Sequence, residues 1–413
     1  MSDNADLIER SGELKRALLA FARSRRYRRY LREAMRERFG EVVVGDEAEV
    51  GNFFDYCLLQ HRLPDGRTLI EHFVAAHPKL PERERAMLLG WQDVVEGIFA
   101  VQQRERDAIV VVNLIDDLTY RVRSNMGAAA LAPMRPGSFL VTRLVPVGDD
   151  WLLSGYSHLL PASQRGDAIA MAEKIALQRP ALAFRNPQKL EQAWELQRQE
   201  RQDFIAFFGS DLVVIPGREL QERLKAYHHF RMYELRDAQG RSAAERAEEQ
   251  YGIVPETPDM ELDTDLVERE TVGVIFDEVE GFNLFPDFGA VEEAFATPQL
   301  APDEHHRGAV LGYLESPGIS PLPLRRLAER SPEHASQVFR QVLQQPDFAW
   351  ERDGEALLRR YKASYFERPS LPGVVPVNES TARERLAGVK AERTPGRRSQ
   401  GRRSRGRGKK SRR

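Results

Sequence analysis

The chain is poor in cysteine, because its 413 residues include only one, Cys57. A single cysteine excludes an intrachain disulfide and any zinc site built from several cysteines. Cys57 stands between Tyr56 and Leu58 in an apolar run, which indicates a buried core thiol. We therefore expect neither a disulfide-stabilised fold nor cysteine nucleophile chemistry.

Long apolar runs and catalytic motifs are also missing. No run reaches the roughly 18 apolar residues of a membrane helix, and residues 1–6 lack the basic start and apolar stretch of a signal peptide. These absences predict a soluble, cytoplasmic protein without a membrane span. The sequence contains no Gly-x-Ser-x-Gly, no His-Glu-x-x-His and no phosphate-binding loop. We therefore expect no cofactor and no metal.

Acidic residues are missing from one segment, the C-terminus. Residues 393–413 hold eleven Lys/Arg and no acid. Without them the chain has 50 basic residues against 63 acidic ones, a net charge of about −13 instead of the −2 of the whole chain. An acidic body repels polyanions, so the sequence predicts that affinity for nucleic acid is concentrated in this end and in an Arg-rich first helix.

The segment 381–413, called the tail below, has too little apolar surface to offset the entropy of ordering, which predicts disorder. Its arginine forks suit phosphate oxygens, but no aromatic residue is interleaved. We therefore expect low sequence specificity and a preference for structured RNA, on which such segments fold. A solubility tail, an anionic-membrane contact and a localisation signal are the alternatives. The predicted contacts are Arg397, Arg398, Arg402, Arg403, Arg405, Arg407, Lys409 and Lys410.

Hydrophobic spacing predicts an α+β fold that is predominantly α. Helical spacing covers 3–38 and, after Pro81, continues to about Gln103. Four short β-branched segments at 108–114, 119–123, 138–146 and 151–157 predict a small SH3-like β-barrel. The predicted organisation is a helical N-terminal region (1–106), the barrel (107–160), a helical and mixed continuation (161–254), an acidic linker (255–270), an α-rich second domain (271–380) and the disordered tail (381–413).

The predicted first helix contains a basic segment, residues 23–30, in which five arginines alternate with Tyr27 and Tyr30. It is a candidate second contact for a polyanion. However, glutamates 9, 13, 33 and 37 flank it at helical spacings that suit ordinary ion pairs. A solvated face, or docking on the acidic body of the protein itself, is the favoured interpretation.

Three further clusters are weaker candidates. Asp277, Glu278 and Glu280 follow an apolar strand, a common place for hydrolase carboxylates. The Asp-Glu-His-His cluster at 303–306 follows Pro302 and is interpreted as a surface helix start, because adjacent helical residues point in different directions. His228 and His229 have alternating apolar neighbours, which is typical of a strand.

Several segments resemble a bacterial family of uncharacterised proteins that often end in a SEC-C motif. They are FFDY at 53–56, LPDGRTL at 63–69, WLLSG at 151–155 and WERDGEALL at 350–358 with Tyr361 and Lys362. Gly406, Gly408, Lys409 and Lys410 match the Gly-x-Gly-Lys-Lys centre of SEC-C, whereas every zinc ligand of that motif is absent. The resemblance implies a basic segment that binds a partner and no enzymatic activity.

The first functional hypothesis is a non-enzymatic adaptor. Its tail would bind RNA or a ribonucleoprotein, and its body would bind a protein partner at the barrel. The second hypothesis is a metal-dependent hydrolase that uses carboxylates near 277–280. The third is a structural interaction protein whose tail only aids solubility.

Overall fold

A computed structural model describes residues 4–40, 47–252 and 262–377. Contacts between Cα atoms divide the chain at residue 376. All helices and strands of the described residues lie before that division.

The described residues form seventeen α-helices, and a π-helical turn, Phe230–Glu234, follows α9 directly. In this part of the chain no helix has both the length and the apolar character needed to cross a bilayer. The helices are α1 (Asn4–Ala22), α2 (Arg28–Phe39), α3 (Glu47–Leu59), α4 (Leu69–Ala76), α5 (Glu82–Gly90), α6 (Arg165–Gln178), α7 (Pro180–Ala183), α8 (Pro187–Phe208), α9 (Gly217–His229), α10 (Ala243–Tyr251), α11 (Thr264–Val267), α12 (Phe288–Ala296), α13 (Glu304–Glu315), α14 (Leu322–Arg330), α15 (Pro332–Leu343), α16 (Trp350–Tyr361) and α17 (Ala363–Phe366).

Eight strands make two sheets within the described residues, and the prediction of a mostly helical α+β fold is confirmed. The strands are β1 (Val95–Arg104), β2 (Ile109–Asn113), β3 (Thr119–Arg123), β4 (Phe139–Val147), β5 (Asp150–Leu160), β6 (Leu212–Pro216), β7 (Thr271–Asp277) and β8 (Gly281–Pro286).

Strands β1 to β5 close on themselves in the order β1-β2-β3-β5-β4. β1 pairs antiparallel with β2 on one side and with β4 on the other, whereas β3 and β5 run parallel. Apolar side chains alternate inward along β2 and β3, and Phe99, Val111 and Val122 are fully buried. This alternation follows from the two-residue period of a strand. This order, with its parallel β3–β5 pair, differs from the consecutive antiparallel order of an SH3 barrel, so the SH3-like part of the prediction is not confirmed.

The helix predicted from Pro81 to Gln103 is wrong over its second half. The chain forms α5 and then continues into β1, which is the one strand of the ring that the sequence did not predict. The apolar run from Val94 to Phe99 fits one face of a helix and a fully buried strand equally well. Pairing with both β2 and β4 decides for the strand.

The second sheet is antiparallel, in the order β6-β7-β8. Leu212 pairs with Ile275 and Val214 pairs with Gly273, so β6 hydrogen-bonds to β7 across the predicted acidic linker. Residues 253–261 of that linker lie outside the described residues, and α11 occupies part of the remainder. One sheet therefore spans the predicted domain boundary.

A buried ion pair connects the N-terminal helices to the barrel. Asp55 on α3 and Arg143 on β4 are each 3% exposed, with 3.2 Å between Arg143 Nε and Asp55 Oδ2. Lys15 Nζ on α1 and Ser154 Oγ on β5 donate to Asp55 Oδ1 at 2.6 and 2.9 Å. Gln60 accepts a hydrogen bond from Arg143 at 2.6 Å. Buried charges are tolerated when they are paired and hydrogen-bonded in this way.

Candidate nucleic-acid interface

Residues 23–27 of the basic segment form a turn between α1 and α2, and residues 28–30 are the first turn of α2, so the prediction of one helix over 3–38 is wrong. The amides of Tyr27 and Arg28 donate to the Ser24 carbonyl, which closes the turn. Tyr27 is buried, at 3% exposed, and holds the turn against the core. Like charges at helical spacing repel, which favours a break in the helix where the arginines are most dense. We call residues 23–30 the arginine turn.

Five side chains of the arginine turn point to solvent: Arg23, Arg25, Arg26, Arg28 and Arg29. Among the ion pairs of the described residues, none involves these five arginines. Arg26 and Arg29 instead lie over the rings of Tyr27 and Tyr30, at 5.2 and 4.6 Å from the ring centroids. Arg29 also donates to the Tyr30 hydroxyl at 2.6 Å, and this bond is the main cause of its raised pKa.

The flanking glutamates do not neutralise the turn. Of glutamates 9, 13, 33 and 37, only Glu13 forms an ion pair among the described residues, and its partner is Arg10 in α1. The ion pairs expected from helical spacing depend on a continuous helix, and the turn breaks it. The ion pairs expected between these glutamates and the arginines are therefore not formed among the described residues, whereas the favoured interpretation of a solvated face agrees with the exposure of all five arginines.

A cavity of about 470 Å³ opens beside the arginine turn. Arg25, Arg26 and Arg29 line it together with Tyr27, Tyr30, Leu63, Pro64, Asp65 and His72. Asp65 lies 2.8 Å from His72 Nε2, and its pKa is lowered first by the backbone amide of Arg67 and then by His72. Arg62 and Arg67 are exposed on the same α3–α4 turn. Cations therefore outnumber the single carboxylate of this cavity.

Helix α2 extends the cationic surface away from the turn. Arg29, Arg32 and Arg36 are exposed, and their spacing of three and four residues places them along one face of the helix. The helix ends at Phe39, over whose ring Arg38 lies at 5.2 Å. An arginine stripe therefore leads from the arginine turn to an aromatic ring.

Phe39, the last residue of α2, begins a row of ring contacts that continues along α3 to His61. Its centroid is 5.4 Å from that of Phe53, which is 5.7 Å from Tyr56, which in turn is 6.0 Å from His61. Tyr56 is 37% exposed and the other three are half-buried. We call these four residues the aromatic row. Sequence reasoning missed this row, because the packing of α2 against α3 is needed to bring Phe39 to Phe53.

The eight predicted contacts of the tail lie outside the described residues. They are Arg397, Arg398, Arg402, Arg403, Arg405, Arg407, Lys409 and Lys410. Their binding to nucleic acid stays a prediction.

The carboxylates near 277–280 are engaged by protein donors. Asp277 Oδ1 accepts the amides of Val279 and Glu280 at 2.9 and 3.1 Å, and its Oδ2 lies 3.3 Å from Arg326. Glu280 accepts hydrogen bonds from Ser320 and Tyr365 at 2.5 and 2.7 Å. No group of three or more metal-ligating side chains occurs within residues 4–40, 47–252 and 262–377. The hydrolase hypothesis draws no support from these contacts.

Three other predictions concern residues 303–306, Cys57 and the pair His228 and His229. The first two are confirmed and the third is wrong. Asp303 caps α13, since its Oδ2 accepts the amides of His305 and His306, and hydrogen bonding to Asp303 raises the pKa of His306. Cys57 is fully buried, and burial raises the pKa of its thiol to about 12. His228 and His229, predicted as strand, form the end of α9, because alternation over a few residues cannot outweigh the helical spacing of its buried leucines.

The fold and this surface define a mostly helical α+β protein with a cationic, aromatic-flanked face on its N-terminal helices. Residues 9–209 match the model of a family described as of unknown function, DUF7986. The matched residues, just under half of the chain, include the arginine turn, the aromatic row and all five strands of the ring. Neither the curated proteins nor the solved structures contain a significant match. Of the segments that resemble the SEC-C-bearing family, those at 53–56, 63–69 and 151–155 lie within the match, whereas Gly406, Gly408, Lys409 and Lys410, which match the SEC-C centre itself, lie outside both the match and the described ranges.

Proposed function

We propose that this protein is a non-enzymatic adaptor that binds nucleic acid, preferably RNA, with the arginine turn as its folded contact and the tail as a second contact. One observation carries the proposal: five exposed arginines are gathered in one turn, and within the described residues no carboxylate pairs with them. Cations left unpaired by their own protein are available to phosphate oxygens.

The neighbouring surface suits a single strand better than a duplex. Proteins that bind single strands combine a positively charged path for the backbone with aromatic rings on which bases stack. Here the arginine stripe of α2 leads to the aromatic row, where Tyr56 presents the most exposed ring. Stacking accepts any base, which supports low sequence specificity.

The barrel supports the adaptor half of the proposal. Its strand order, with β1 bonded to β2 and β4, is that of five-stranded Greek-key OB-folds, which bind oligonucleotides on the β2–β3 face. On that face Arg121 and Arg123 already pair with Asp150, at 2.7 and 2.6 Å, and Arg121 also pairs with Glu105 at 2.7 Å. Because these cations are neutralised, we assign RNA to the arginine turn and keep the barrel as the surface for a protein partner.

The test is filter binding of a 20-nucleotide single-stranded RNA between 50 and 200 mM salt. The variant carries Arg25→Gln, Arg26→Gln and Arg29→Gln, all at exposed positions. Each lost phosphate contact lowers the slope of log K against log salt by about 0.7 for a single strand. We expect the triple variant to lower the slope by about 2 and to weaken binding at 50 mM salt.

The matched control removes the same charge elsewhere, through Arg198→Gln, Arg218→Gln and Arg368→Gln, which are also exposed. The control should keep the slope of the unmodified protein. Equal slopes for the two triple variants would refute the arginine turn as the site. Circular dichroism and thermal melts establish that both variants are folded.

A further inference from the structure

A second cavity, of about 930 Å³, lies far along the chain from the arginine turn, between α8, α9, the π-helical turn and the β7–β8 hairpin. Its volume falls in the range of small-molecule sites, roughly 300–1,000 Å³. π-Helical turns are rare and frequently occur at functional sites. The turn Phe230–Glu234 supplies Arg231 and Met232 to the wall of this cavity.

The floor of the cavity is apolar and its mouth is accessible. Leu224 and Phe276 are 5% and 3% exposed, and they belong to one buried cluster. Leu196 and Phe282, which also line the cavity, are 46% and 40% exposed. Exposed apolar side chains that adjoin a buried apolar floor favour an apolar occupant, because its burial removes their surface from water.

The charged side chains of the lining neutralise one another. Arg231 lies 2.8 Å from Glu200 and 3.4 Å from Asp203. Arg246 lies 3.2 Å from Asp237. Because these cations have carboxylate partners, a charged ligand would gain no partner here that the protein has not already engaged. The lining therefore favours an uncharged ligand.

His228 also lines the cavity, but its Nδ1 is shielded from solvent and so does not face the open space. Burial, together with the charges of Arg231 and His229, lowers the pKa of His228, which disfavours a positive charge on its ring. His228 therefore adds no unpaired cation to the lining.

We propose that this cavity binds an uncharged, largely aromatic small molecule. The rings of Phe276 and Phe282 and the side chains of Leu196 and Leu224 contact the apolar part of the ligand. The site is independent of the arginine turn, so it stands or falls separately from RNA binding.

The first test is a fluorescence titration of the full-length protein with Nile red, an uncharged aromatic dye. We expect saturable binding with one dye per chain. The double variant Leu196→Glu, Phe282→Glu places charges at the exposed mouth and should weaken binding at least about tenfold. Val279→Glu is the matched control, because Val279 is 47% exposed on the same hairpin but does not line the cavity. The control should bind the dye within about twofold of the unmodified protein.

The second test displaces Nile red with naphthalene or with 2-naphthalenesulfonate, which differ by one negative charge. We expect naphthalene to bind more tightly, because Arg231 and Arg246 of the lining already have carboxylate partners.

Three results would overturn the proposal. They are the absence of saturable dye binding, undiminished binding of the dye to the Leu196→Glu, Phe282→Glu variant, and tighter binding of 2-naphthalenesulfonate than of naphthalene. None of them depends on RNA, so failure of this site is distinguishable from failure of the arginine turn.

Discussion

Lys362 illustrates how one buried side chain couples stability to pH. It is 3% exposed, and its Nζ donates to the Ser316 carbonyl at the end of α13. Burial lowers its pKa from 10.5 to about 8. Between these two values the unfolded chain holds a proton that the folded chain has lost, so this residue makes stability rise with pH across that window.

Lys362→Met should therefore stabilise the protein most at neutral pH. The difference in unfolding free energy between the variant and the unmodified protein should shrink by about 1 kcal/mol per pH unit from pH 8 to 10. Urea unfolding at pH 7, 8, 9 and 10 measures it. If the difference in unfolding free energy stays constant over this series, the lowered pKa of Lys362 is not its cause.

Gly97 on β1 is a position where only a hydrogen side chain fits. A Cβ there would overlap the side-chain amide of Asn113, which is fully buried and donates to Asp116 at 2.9 Å. Gly97→Ala should lower the unfolding free energy by about 1–3 kcal/mol, because neither Asn113 nor its partner has room to move.

The matched control for this glycine is Gly166→Ala. Gly166 lies in α6, and a Cβ there meets nothing within 4 Å. Since alanine favours a helix, the control should be unchanged or up to about 1 kcal/mol more stable. Thermal melts that show equal losses for the two variants would rule out crowding at Asn113.

Between elements, the pair of Asp55 and Arg143 joins α3 to the ring of strands. Arg143→Met leaves the buried Asp55 with Lys15 and Ser154 but without its guanidinium. Removing one partner of a buried pair costs about 3–5 kcal/mol, and we expect about 3 because Lys15 remains. The midpoint of urea unfolding measures this loss.

The control for the buried pair is an exposed one. Arg38 and Glu49 join α2 to α3 at 2.6 Å with both side chains about half exposed. Arg38→Met should cost less than about 1 kcal/mol. If both variants lose the same stability, burial does not set the strength of the connection between α3 and β4.

Across the whole molecule, net charge is a poor guide to the local distribution of charge. Without residues 393–413 the chain carries about −13, yet its arginine turn presents five exposed arginines. Charges farther apart than about 10 Å are largely screened at 0.1 M salt. The acidic residues elsewhere therefore do not prevent this surface from attracting phosphate.

The arginine turn and the tail should act together on one RNA. When two linked sites engage one ligand, the second contact becomes intramolecular and adds to affinity. A chain that ends at Glu392 and also carries the Arg25, Arg26 and Arg29 substitutions should lose more affinity, and more of the salt slope, than either change alone. Filter binding at 50 mM salt measures it. A combined variant that matches the truncation alone would show that only the tail binds.

The sequence anticipated some of these features better than others. Four strands of the ring and the helix start at 303–306 were predicted, because their signals lie within a few residues of each other. The strand β1 was mistaken for helix, since its apolar run suits both forms until its partners are known. The aromatic row and the cavity beside His228 were missed because each joins separate elements, from α2 to the end of α3 for the row and from α8 to β8 for the cavity.

Amino-acid order alone determined where charge accumulates, where one cysteine would be buried, and that helices dominate. Those properties follow from composition and from spacing over one or two turns. Tertiary structure decided that the arginines of residues 23–30 form no ion pair within the described residues, that Asp55 contacts Arg143, and that β6 pairs with β7. The reason is physical: a side chain's energy depends on what packs against it, and packing brings together residues that no local pattern relates.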